Sequence, residues 1–192
     1  MTEEINQKIP SAYAGIERAT IDNGFTMPSD ILACSLLKTL ASSKPAGKFL
    51  ELGTGTGLST CWILDGMDSN SSLVSIDNDE IYLGIAQQYL GQDGRLKLVL
   101  SDGGVWVKTH LEQKFDYIFA DTWHGKYLLL NEVLGMLNKG GLYIVDDMVP
   151  QANWPEGHQE KAVDFVNSLE RRSDLNVTKQ NWATGIIIAV KT

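Results

Sequence analysis

The feature that most constrains the fold of this 192-residue chain is a regular alternation of short, β-rich apolar runs with helical patterns. Between the first five runs, apolar residues recur three or four apart, which is the spacing of one helix face. The last two runs are separated only by Ala183 and Thr184, too few residues for a crossover helix but enough for a hairpin turn. The runs span residues 48–54, 72–78, 96–102, 115–122, 140–148, 175–182 and 185–191.

This order predicts an α/β protein with a Rossmann-like, seven-stranded and mostly parallel sheet, a C-terminal antiparallel hairpin, and helices on both faces. Apolar spacing places one helix with Ile81, Ile85 and Tyr89 on its covering face, and another whose face runs from Tyr127 to Leu137. Ligands of such sheets bind beyond the carboxyl ends of the strands, so the polar residues that follow each strand are the candidate site.

Two helix boundaries carry recognisable signals. Asp30, which follows Pro28 and Ser29, provides a polar cap for a helix that begins at Ile31. Gly140 can take the left-handed conformation that stops the preceding helix before a new strand begins.

Length and composition limit the classes of protein that fit. A chain of 192 residues with 43% apolar content can bury one core, which predicts a single domain over residues 1–192. The formal net charge of −8 opposes a phosphate backbone, so nucleic acid is not an expected partner. The chain has neither a secretory leader nor eighteen consecutive apolar residues, and Cys34 and Cys61 lie in apolar stretches. These features predict a cytoplasmic protein without a membrane partner or a disulfide framework.

A glycine-rich turn, Glu51-Leu-Gly-Thr-Gly-Thr-Gly57, closes the first strand run. Three glycines at alternate positions let the backbone turn tightly and let a ligand approach the main-chain N–H groups. The spacing Gly-x-Gly-x-Gly, with Glu51 two residues before the first glycine, favours S-adenosylmethionine over NAD; a purely structural turn is the alternative. The candidate cofactor contacts here are Glu51, Gly53, Thr54, Gly55, Gly57 and Ser59.

Two further strand ends carry polar groups suited to a nucleoside. Asp77 and Asn78 follow the second strand, where a carboxylate can accept both ribose hydroxyls; a cap for the helix near Glu80 is the other role open to Asp77. Asp102 and Gly103 follow the third strand, where Asp102 can accept the adenine amino hydrogens or simply form a turn.

Carboxylates also follow the fourth and fifth strands. Asp121 ends one of them, and the pair Asp146 and Asp147 ends the other. Neighbouring strands lie about 4.8 Å apart, so these side chains are expected close together, where their charges repel unless a cation lies between them. Oxygen ligands suit Mg²⁺, Ca²⁺ or Mn²⁺. The alternative is that the two adjacent acids point in opposite directions and hold no metal.

The segments from Phe115 to Tyr127 and from Leu137 to Met148 resemble the metal-dependent catechol and caffeoyl-CoA type O-methyltransferases, a class I S-adenosylmethionine-dependent family. The resemblance covers residues 27–148. In the family, the counterpart of Glu51–Gly57 is the cofactor loop and the counterpart of Asp77 binds the ribose. An Asp-x-x-Lys-x-x-Tyr motif supplies a metal ligand and a catalytic lysine, and a later Asp-Asn pair supplies two more ligands.

By this resemblance Asp121, Asp146 and Asp147 are the metal ligands, and Asp121 also borders the cofactor. Two positions depart from the pattern, because His124 stands where the family has its lysine and Asp147 stands where it has asparagine. Histidine with an ordinary pKa near 6.5 can accept a proton at pH 7, so we expect His124 to be the general base, with Lys126 as a weaker candidate.

The sequence therefore predicts transfer of a methyl group from S-adenosylmethionine to a hydroxyl of a small molecule, assisted by a divalent cation, most simply Mg²⁺. Trp154 and His158 are expected in a loop over the same edge of the sheet, as part of the acceptor pocket or packed on the following helix. A homodimer, common in the family, is a further expectation. The rival hypotheses are a metal-independent N- or O-methyltransferase, an NAD-dependent oxidoreductase and a cofactor-binding protein without catalysis.

Overall fold

The computed structural model describes residues 8–151 and 154–192. Within these residues seven strands form one sheet: β1 (Lys48–Leu52), β2 (Ser72–Asp77), β3 (Leu96–Leu100), β4 (Phe115–Ala120), β5 (Leu137–Val145), β6 (Leu175–Gln180) and β7 (Ile186–Lys191). Their order is β3-β2-β1-β4-β5-β7-β6. Strands β1 to β5 pair in parallel, and β7 runs antiparallel to both β5 and β6. The predicted fold class is confirmed.

Seven helices connect or precede these strands within the same residues: α1 (Tyr13–Asp22), α2 (Ile31–Ala41), α3 (Leu58–Gly66), α4 (Glu80–Leu90), α5 (Gly103–Thr109), α6 (Leu130–Met136) and α7 (His158–Glu170). Asp30 caps α2 as predicted, because its carboxylate accepts the main-chain N–H groups of Leu32 and Ala33. Over the described part of the chain, none of the helices combines the length and the apolar character that crossing a membrane requires.

The helices cover both faces of the sheet because successive strand residues point to opposite sides. In β4, Tyr117 and Phe119 pack into a core with α1, α2 and α3. Ile118 and Ala120, the alternating residues of the same strand, pack into a second core with α5, α6 and α7. The sheet is therefore buried on both sides, which leaves its carboxyl edge as the place where polar groups meet.

The helix predicted between Tyr127 and Leu137 is shorter than its apolar spacing indicates. Leu129 has a left-handed backbone with φ +58°, so α6 begins only at Leu130 and Tyr127 lies in the preceding loop. Leu137 already belongs to β5. Gly140 does take a positive φ of +76°, but it does so inside β5, where the register with β4 shifts, and not at the helix end.

The covering face predicted for α4 is only partly right. Ile85 is buried, whereas Ile81 is 68% exposed. Tyr89 lies against α1, so closely that a Cβ on Gly15 would come within 2.6 Å of its ring. The helix thus packs on α1 as well as on the sheet, and its buried residues are Leu83, Ile85, Ala86 and Leu90.

Candidate functional site

The strand order changes direction beside β1, since β2 lies on one side of it and β4 on the other. This is the topological switch point at which open α/β sheets form a crevice beyond the carboxyl ends of the strands. A cavity of about 630 Å³ opens there, and its wall combines the glycine turn with the residues that follow β2, β4 and β5. Its size lies in the range of small-molecule sites.

The glycine turn needs glycine for conformation and for space. Gly53, Gly55 and Gly57 have φ of +104°, +51° and +95°, which side chains disfavour. A Cβ on Gly53 would lie 2.6 Å from Cγ2 of Thr122, and one on Gly57 would lie 3.0 Å from Cβ of Ala86 in α4. Gly53, Thr54 and Gly55 line the cavity, whereas Gly57 serves the contact between α3 and α4.

Glu51 lies behind the turn, on the face that α3 covers, and its side chain is fully buried. The hydroxyl of Ser59 donates to Oε1, while those of Thr60 and Ser75 donate to Oε2, each at 2.6 Å. Ser75 also shares a hydrogen bond of 2.6 Å with Thr54 of the turn. Glu51 and Ser59 therefore support the turn from behind, whereas Gly53, Thr54 and Gly55 line the cavity.

Asp77 lies at the cavity wall and shapes the turn. Its Oδ2 accepts the N–H of Gly55 at 2.7 Å, and its Oδ1 accepts the N–H of Asp79 at 2.9 Å. The cap of α4 is Asp79, whose carboxylate accepts the N–H groups of Ile81 and Tyr82, so the capping role considered for Asp77 is wrong. Asp77 and Asn78 both line the cavity and stay available to a ligand.

A second, smaller cavity of about 80 Å³ adjoins the first across Gly53 and Asp77. Asp102, Gly103 and His124 line it. Asp102 also accepts the N–H of Val105 at 2.8 Å and so caps the helix α5, instead of forming the simple turn considered for it. A planar group that entered here would contact the ends of β2 and β3.

His124 does not lie beside the aspartates. A Cβ on Gly103 would lie 3.2 Å from Nδ1 of His124, which places the imidazole against the start of α5 and in the wall of the smaller cavity. This geometry does not fit the expectation that His124 receives the acceptor proton, because the loop carries its side chain toward the smaller cavity.

Lys126 occupies the position expected for His124. Its side chain is only 7% exposed, and Nζ lies 3.6 Å from Oδ1 of Asp121. The same ammonium donates a hydrogen bond of 2.8 Å to the main-chain carbonyl of Asp146. The buried cation therefore bridges the ends of β4 and β5 in the wall of the larger cavity.

The three predicted metal ligands all line the larger cavity, but with different environments. Oδ1 of Asp146 accepts the N–H of Asp147 at 2.7 Å and the hydroxyl of Thr184. Asp147 has a left-handed backbone with φ +59°. Burial raises the pKa of Asp121 and of Asp146 above the ordinary range; Lys126 lowers the pKa of both, and the Thr184 hydrogen bond also lowers that of Asp146.

The geometry of these groups does not confirm the metal site expected from the sequence. No set of three or more His, Cys, Asp or Glu side chains in the described part of the chain is arranged to hold a metal ion. Mg²⁺ needs oxygen ligands at about 2.0–2.1 Å in a near-octahedral set. Instead, the Lys126 ammonium lies beside Asp121, and Asp146 is engaged by Asp147 and Thr184.

Aromatic rings form another part of the wall of the larger cavity. Tyr127 lies edge-on to Trp123 and to His158, with centroids 5.8 and 5.3 Å apart, and Trp154 lies 4.5 Å from His158. Trp154 and His158 both line the cavity, and their rings contact each other. His158 is the first residue of α7 and does not belong to the loop in which it was expected, and an acceptor pocket at these residues stays a prediction. Nε2 of His158 pairs with the Tyr127 hydroxyl at 3.2 Å, while its buried Nδ1 has no hydrogen-bond partner among the described residues.

Several cavity residues escaped the sequence analysis. Phe25 covers Gly55 and packs on Tyr82, with ring centroids 4.6 Å apart, and Ser29 donates to Asp121 at 3.5 Å. No strand precedes these residues, so nothing in the pattern marks them. The position of Thr184 could have been predicted from the sequence. Because β7 is antiparallel to β5 and to β6, the turn that joins β6 to β7 must lie at the same edge of the sheet as the carboxyl ends of the parallel strands.

A family model described as a methyltransferase domain matches residues 50–148. Catechol O-methyltransferase B of Danio rerio is 30% identical over 124 residues, which are 59% of this chain and 47% of that relative. A putative O-methyltransferase of Mycobacterium avium (strain 104) is 31% identical over 113 residues, 56% of this chain and 50% of the relative. The chain thus spans about half the length of the curated relatives it matches.

Solved structures share the fold over almost the whole chain. The O-methyltransferase from Bacillus cereus in complex with SAH superposes with a TM-score of 0.85 at 17% identity, covering 98% of this chain and 93% of that chain. The O-methyltransferase TomG from Streptomyces achromogenes, in complex with SAM, gives a TM-score of 0.84 at 21% identity, with 98% and 92% covered. At these identities the likeness establishes the fold alone.

Proposed function

Because the chain belongs to the methyltransferase domain family, we propose that it transfers a methyl group from S-adenosylmethionine to a hydroxyl of a small molecule. One observation carries the proposal: a single cavity joins the glycine turn and Asp77 to the buried pair of Asp121 and Lys126. The names of the relatives, which are O-methyltransferases, support the same reaction.

The residues around the turn fit the cofactor. Gly53 and Gly55 line the cavity, Asp77 offers a carboxylate to the ribose hydroxyls, and Asp102 borders the space for adenine. When bound, S-adenosylmethionine supplies an electrophilic methyl group, whose bonding electrons stay with sulfur when the acceptor oxygen takes the methyl. Glu51 contributes from behind by holding the turn through Ser75 and Thr54.

At the other end of the cavity, Asp121 and Lys126 act on the acceptor hydroxyl. A carboxylate oxygen of Asp121 accepts the hydroxyl proton, and the Lys126 ammonium donates to the same acceptor oxygen as negative charge develops on it. The rings of Trp123, Tyr127 and Trp154 limit the orientations that the acceptor can take. Positioning of this kind accounts for a large part of catalysis in bimolecular transfers.

The finer expectations stay predictions. They comprise a small-molecule acceptor without nucleic-acid or membrane partners, a homodimer, a cytoplasmic location and a single domain over the whole chain. For Mg²⁺, the position of Lys126 among the aspartates argues against the ligand set expected from the sequence.

Isothermal titration with S-adenosylhomocysteine tests the cofactor site. We expect saturable binding by the unmodified protein, and a weakening of about tenfold to a hundredfold in Asp77→Asn, because a hydrogen bond to a charged group contributes about 1.5–3 kcal/mol. Asp164→Asn, an exposed position on α7, is the matched control and should leave the affinity unchanged.

NADH is titrated in the same series because it is the cofactor of the rival oxidoreductase hypothesis. Binding of NADH without binding of S-adenosylhomocysteine would contradict the proposal and return the chain to the oxidoreductase hypothesis. Equal affinities in Asp77→Asn and the unmodified protein would remove Asp77 from the cofactor site while leaving the reaction class intact.

A further inference from the structure

We infer that the Lys126 ammonium takes the place of the divalent cation at this site, so that methyl transfer by this chain needs no metal ion. The inference rests on the proposed function, since it concerns the group that holds the acceptor oxygen. Lys126 provides the positive charge that the neighbouring carboxylates at the ends of β4 and β5 require.

The acids at this edge need a cation close by. Asp121, Asp146 and Asp147 all face one cavity, and Asp146 is only 3% exposed. Buried carboxylates with like-charged neighbours are costly unless a positive group compensates them. Nζ of Lys126, 3.6 Å from Asp121 and 2.8 Å from the carbonyl of Asp146, supplies that group from within the chain.

The backbone contacts of the loop after β4 help to position Lys126. Gly125 has φ +88°, and a Cβ on it would lie 2.8 Å from Cδ1 of Leu52 and 3.2 Å from Cβ of Ala120, so the backbone passes directly over the strand ends. Its N–H donates to the carbonyl of Leu128 at 2.7 Å, and its own carbonyl accepts the hydroxyl of Tyr143. The next residue, Lys126, lines the cavity.

One carboxylate oxygen of Asp146 and one of Asp121 already accept hydrogen bonds from other groups. Oδ1 of Asp146 receives the N–H of Asp147 and the hydroxyl of Thr184, and Oδ2 of Asp121 accepts from Ser29 at 3.5 Å. A metal bound by Asp121 and Asp146 would have to displace or repel the ammonium that lies beside both residues.

The ammonium retains the capacity to act on an acceptor. A lysine ammonium has three N–H donors; one is used by the carbonyl of Asp146 and a second faces Asp121, which leaves one for an acceptor oxygen. The hydroxyl proton passes to Asp121, and the new O–CH₃ bond forms as the S–CH₃ bond breaks. The reaction therefore requires neither a metal ion nor an oxidant.

Manganese binding, followed by electron paramagnetic resonance of free Mn²⁺, tests the inference without any acceptor. The unmodified protein should leave the Mn²⁺ signal unchanged at millimolar concentration. Lys126→Met should bind Mn²⁺ at least about tenfold more tightly, because the repelling ammonium is gone while the carboxylates remain. The double variant Lys126→Met with Asp121→Asn should lose that gain.

Lys161→Met is the matched control. Its ammonium lies 4.6 Å from the centre of the Trp123 ring at the same cavity mouth, but no ion pair joins it to Asp121 in the described structure. It should behave as the unmodified protein does. Should Lys126→Met fail to fold, Lys126→Gln, which keeps a polar side chain of similar reach, replaces it.

Stoichiometric Mn²⁺ binding by the unmodified protein, lost in Asp121→Asn, would overturn the inference. Failure of every folded Lys126 variant to gain Mn²⁺ would overturn it equally, since the carboxylates would then not form a cation position. Titration with S-adenosylhomocysteine separates the two proposals: its failure in the unmodified protein contradicts the methyltransferase function, whereas the Mn²⁺ comparison still reports on Lys126.

Discussion

Glu51 is fully buried beneath the glycine turn, where the hydroxyls of Ser59, Thr60 and Ser75 all donate to its carboxylate. Burial nevertheless raises the pKa of Glu51 to about 7, because these hydrogen bonds recover only part of the lost hydration. The residue that supports the cofactor turn is therefore one whose ionisation changes near neutral pH.

The pH dependence of stability should show this ionisation. The folded state keeps the Glu51 proton up to about pH 7, whereas the unfolded chain releases it near 4.5. Unfolding between those values releases a proton, so the free energy of unfolding should fall as pH rises through this window, by roughly 3 kcal/mol at most. Glu51→Gln cannot ionise and should lose less stability over the same range.

Urea unfolding at pH 5, 6, 7 and 8 measures the difference between the two proteins at each pH. Glu170→Gln, an exposed position paired with Lys179, serves as the control and should follow the unmodified protein. Parallel pH curves for Glu51→Gln and the unmodified protein would mean that Glu51 is ionised in the folded state throughout.

Single residues also show where sequence reasoning succeeds. Asp77 was predictable because a strand end followed by an acid fixes its position at the edge of the sheet. The roles of His124 and Lys126 were not, because counting residues from Asp121 ignores the loop path. A positive φ at Gly125 sends His124 toward α5 and Lys126 into the cavity, and only the three-dimensional path reveals that exchange.

At the scale of elements, the turn after β1 and the helix α4 use glycine for opposite reasons. Gly53 has φ +104° and lies against Thr122 and the carbonyl of Asp121. Gly84 lies inside α4, is exposed, and would place a Cβ in space that the described residues leave open. Gly53 is required by its backbone conformation and its close neighbours, whereas Gly84 has no such requirement and only lowers the stability of α4.

Alanine substitutions should therefore have opposite signs. Gly84→Ala should raise the free energy of unfolding by about 0.5–1 kcal/mol, because alanine loses less backbone entropy in a helix. Gly53→Ala should lower it by about 1–3 kcal/mol through strain, and should weaken S-adenosylhomocysteine binding as well. Thermal melts and titration of both variants check this; equal shifts in one direction would contradict it.

Helix positions and helix faces differ in how well the sequence predicts them. The cap at Asp30 was read correctly because capping is a local interaction. The face of α4 was not, because periodicity cannot say that Tyr89 packs on Gly15 of another helix. The start of α6 was placed too early because the left-handed backbone at Leu129 interrupts an otherwise continuous apolar pattern.

At the scale of the whole molecule, two cores share one sheet. Ile63 of α3 lies in the core on one face and Leu134 of α6 in the core on the other, both essentially buried. Alternate residues of β4 belong to the two different cores. If the packing on one face of the sheet is lost, the same strands that form the other core become exposed to water on that face. The architecture favours unfolding as one cooperative unit.

Ile63→Ala and Leu134→Ala should each lower the free energy of unfolding by about 2–5 kcal/mol. Circular dichroism and tryptophan fluorescence should report the same urea midpoint for each variant. Separate midpoints for the two signals in either variant would show that the faces unfold independently.

The sheet itself was the most predictable part of the molecule, since seven apolar runs and a two-residue hairpin loop leave few arrangements. The completed cavity was the least predictable, because it gathers Phe25, Asp121, Trp154 and Thr184 from distant parts of the chain. Strand ends predict which edge carries the site, but not which loops close over it.

The position of β7 between β5 and β6 has a consequence for how the protein is made. A ribosome synthesises β6 before β7, the strand that joins β6 to the sheet. β6 therefore has no neighbouring strand to pair with until β7 has been synthesised. Asp146 is likewise synthesised well before Thr184, whose hydroxyl donates a hydrogen bond to its carboxylate in the folded protein. The glycine turn is therefore synthesised early, and Thr184 is the last residue of the cavity wall to be synthesised.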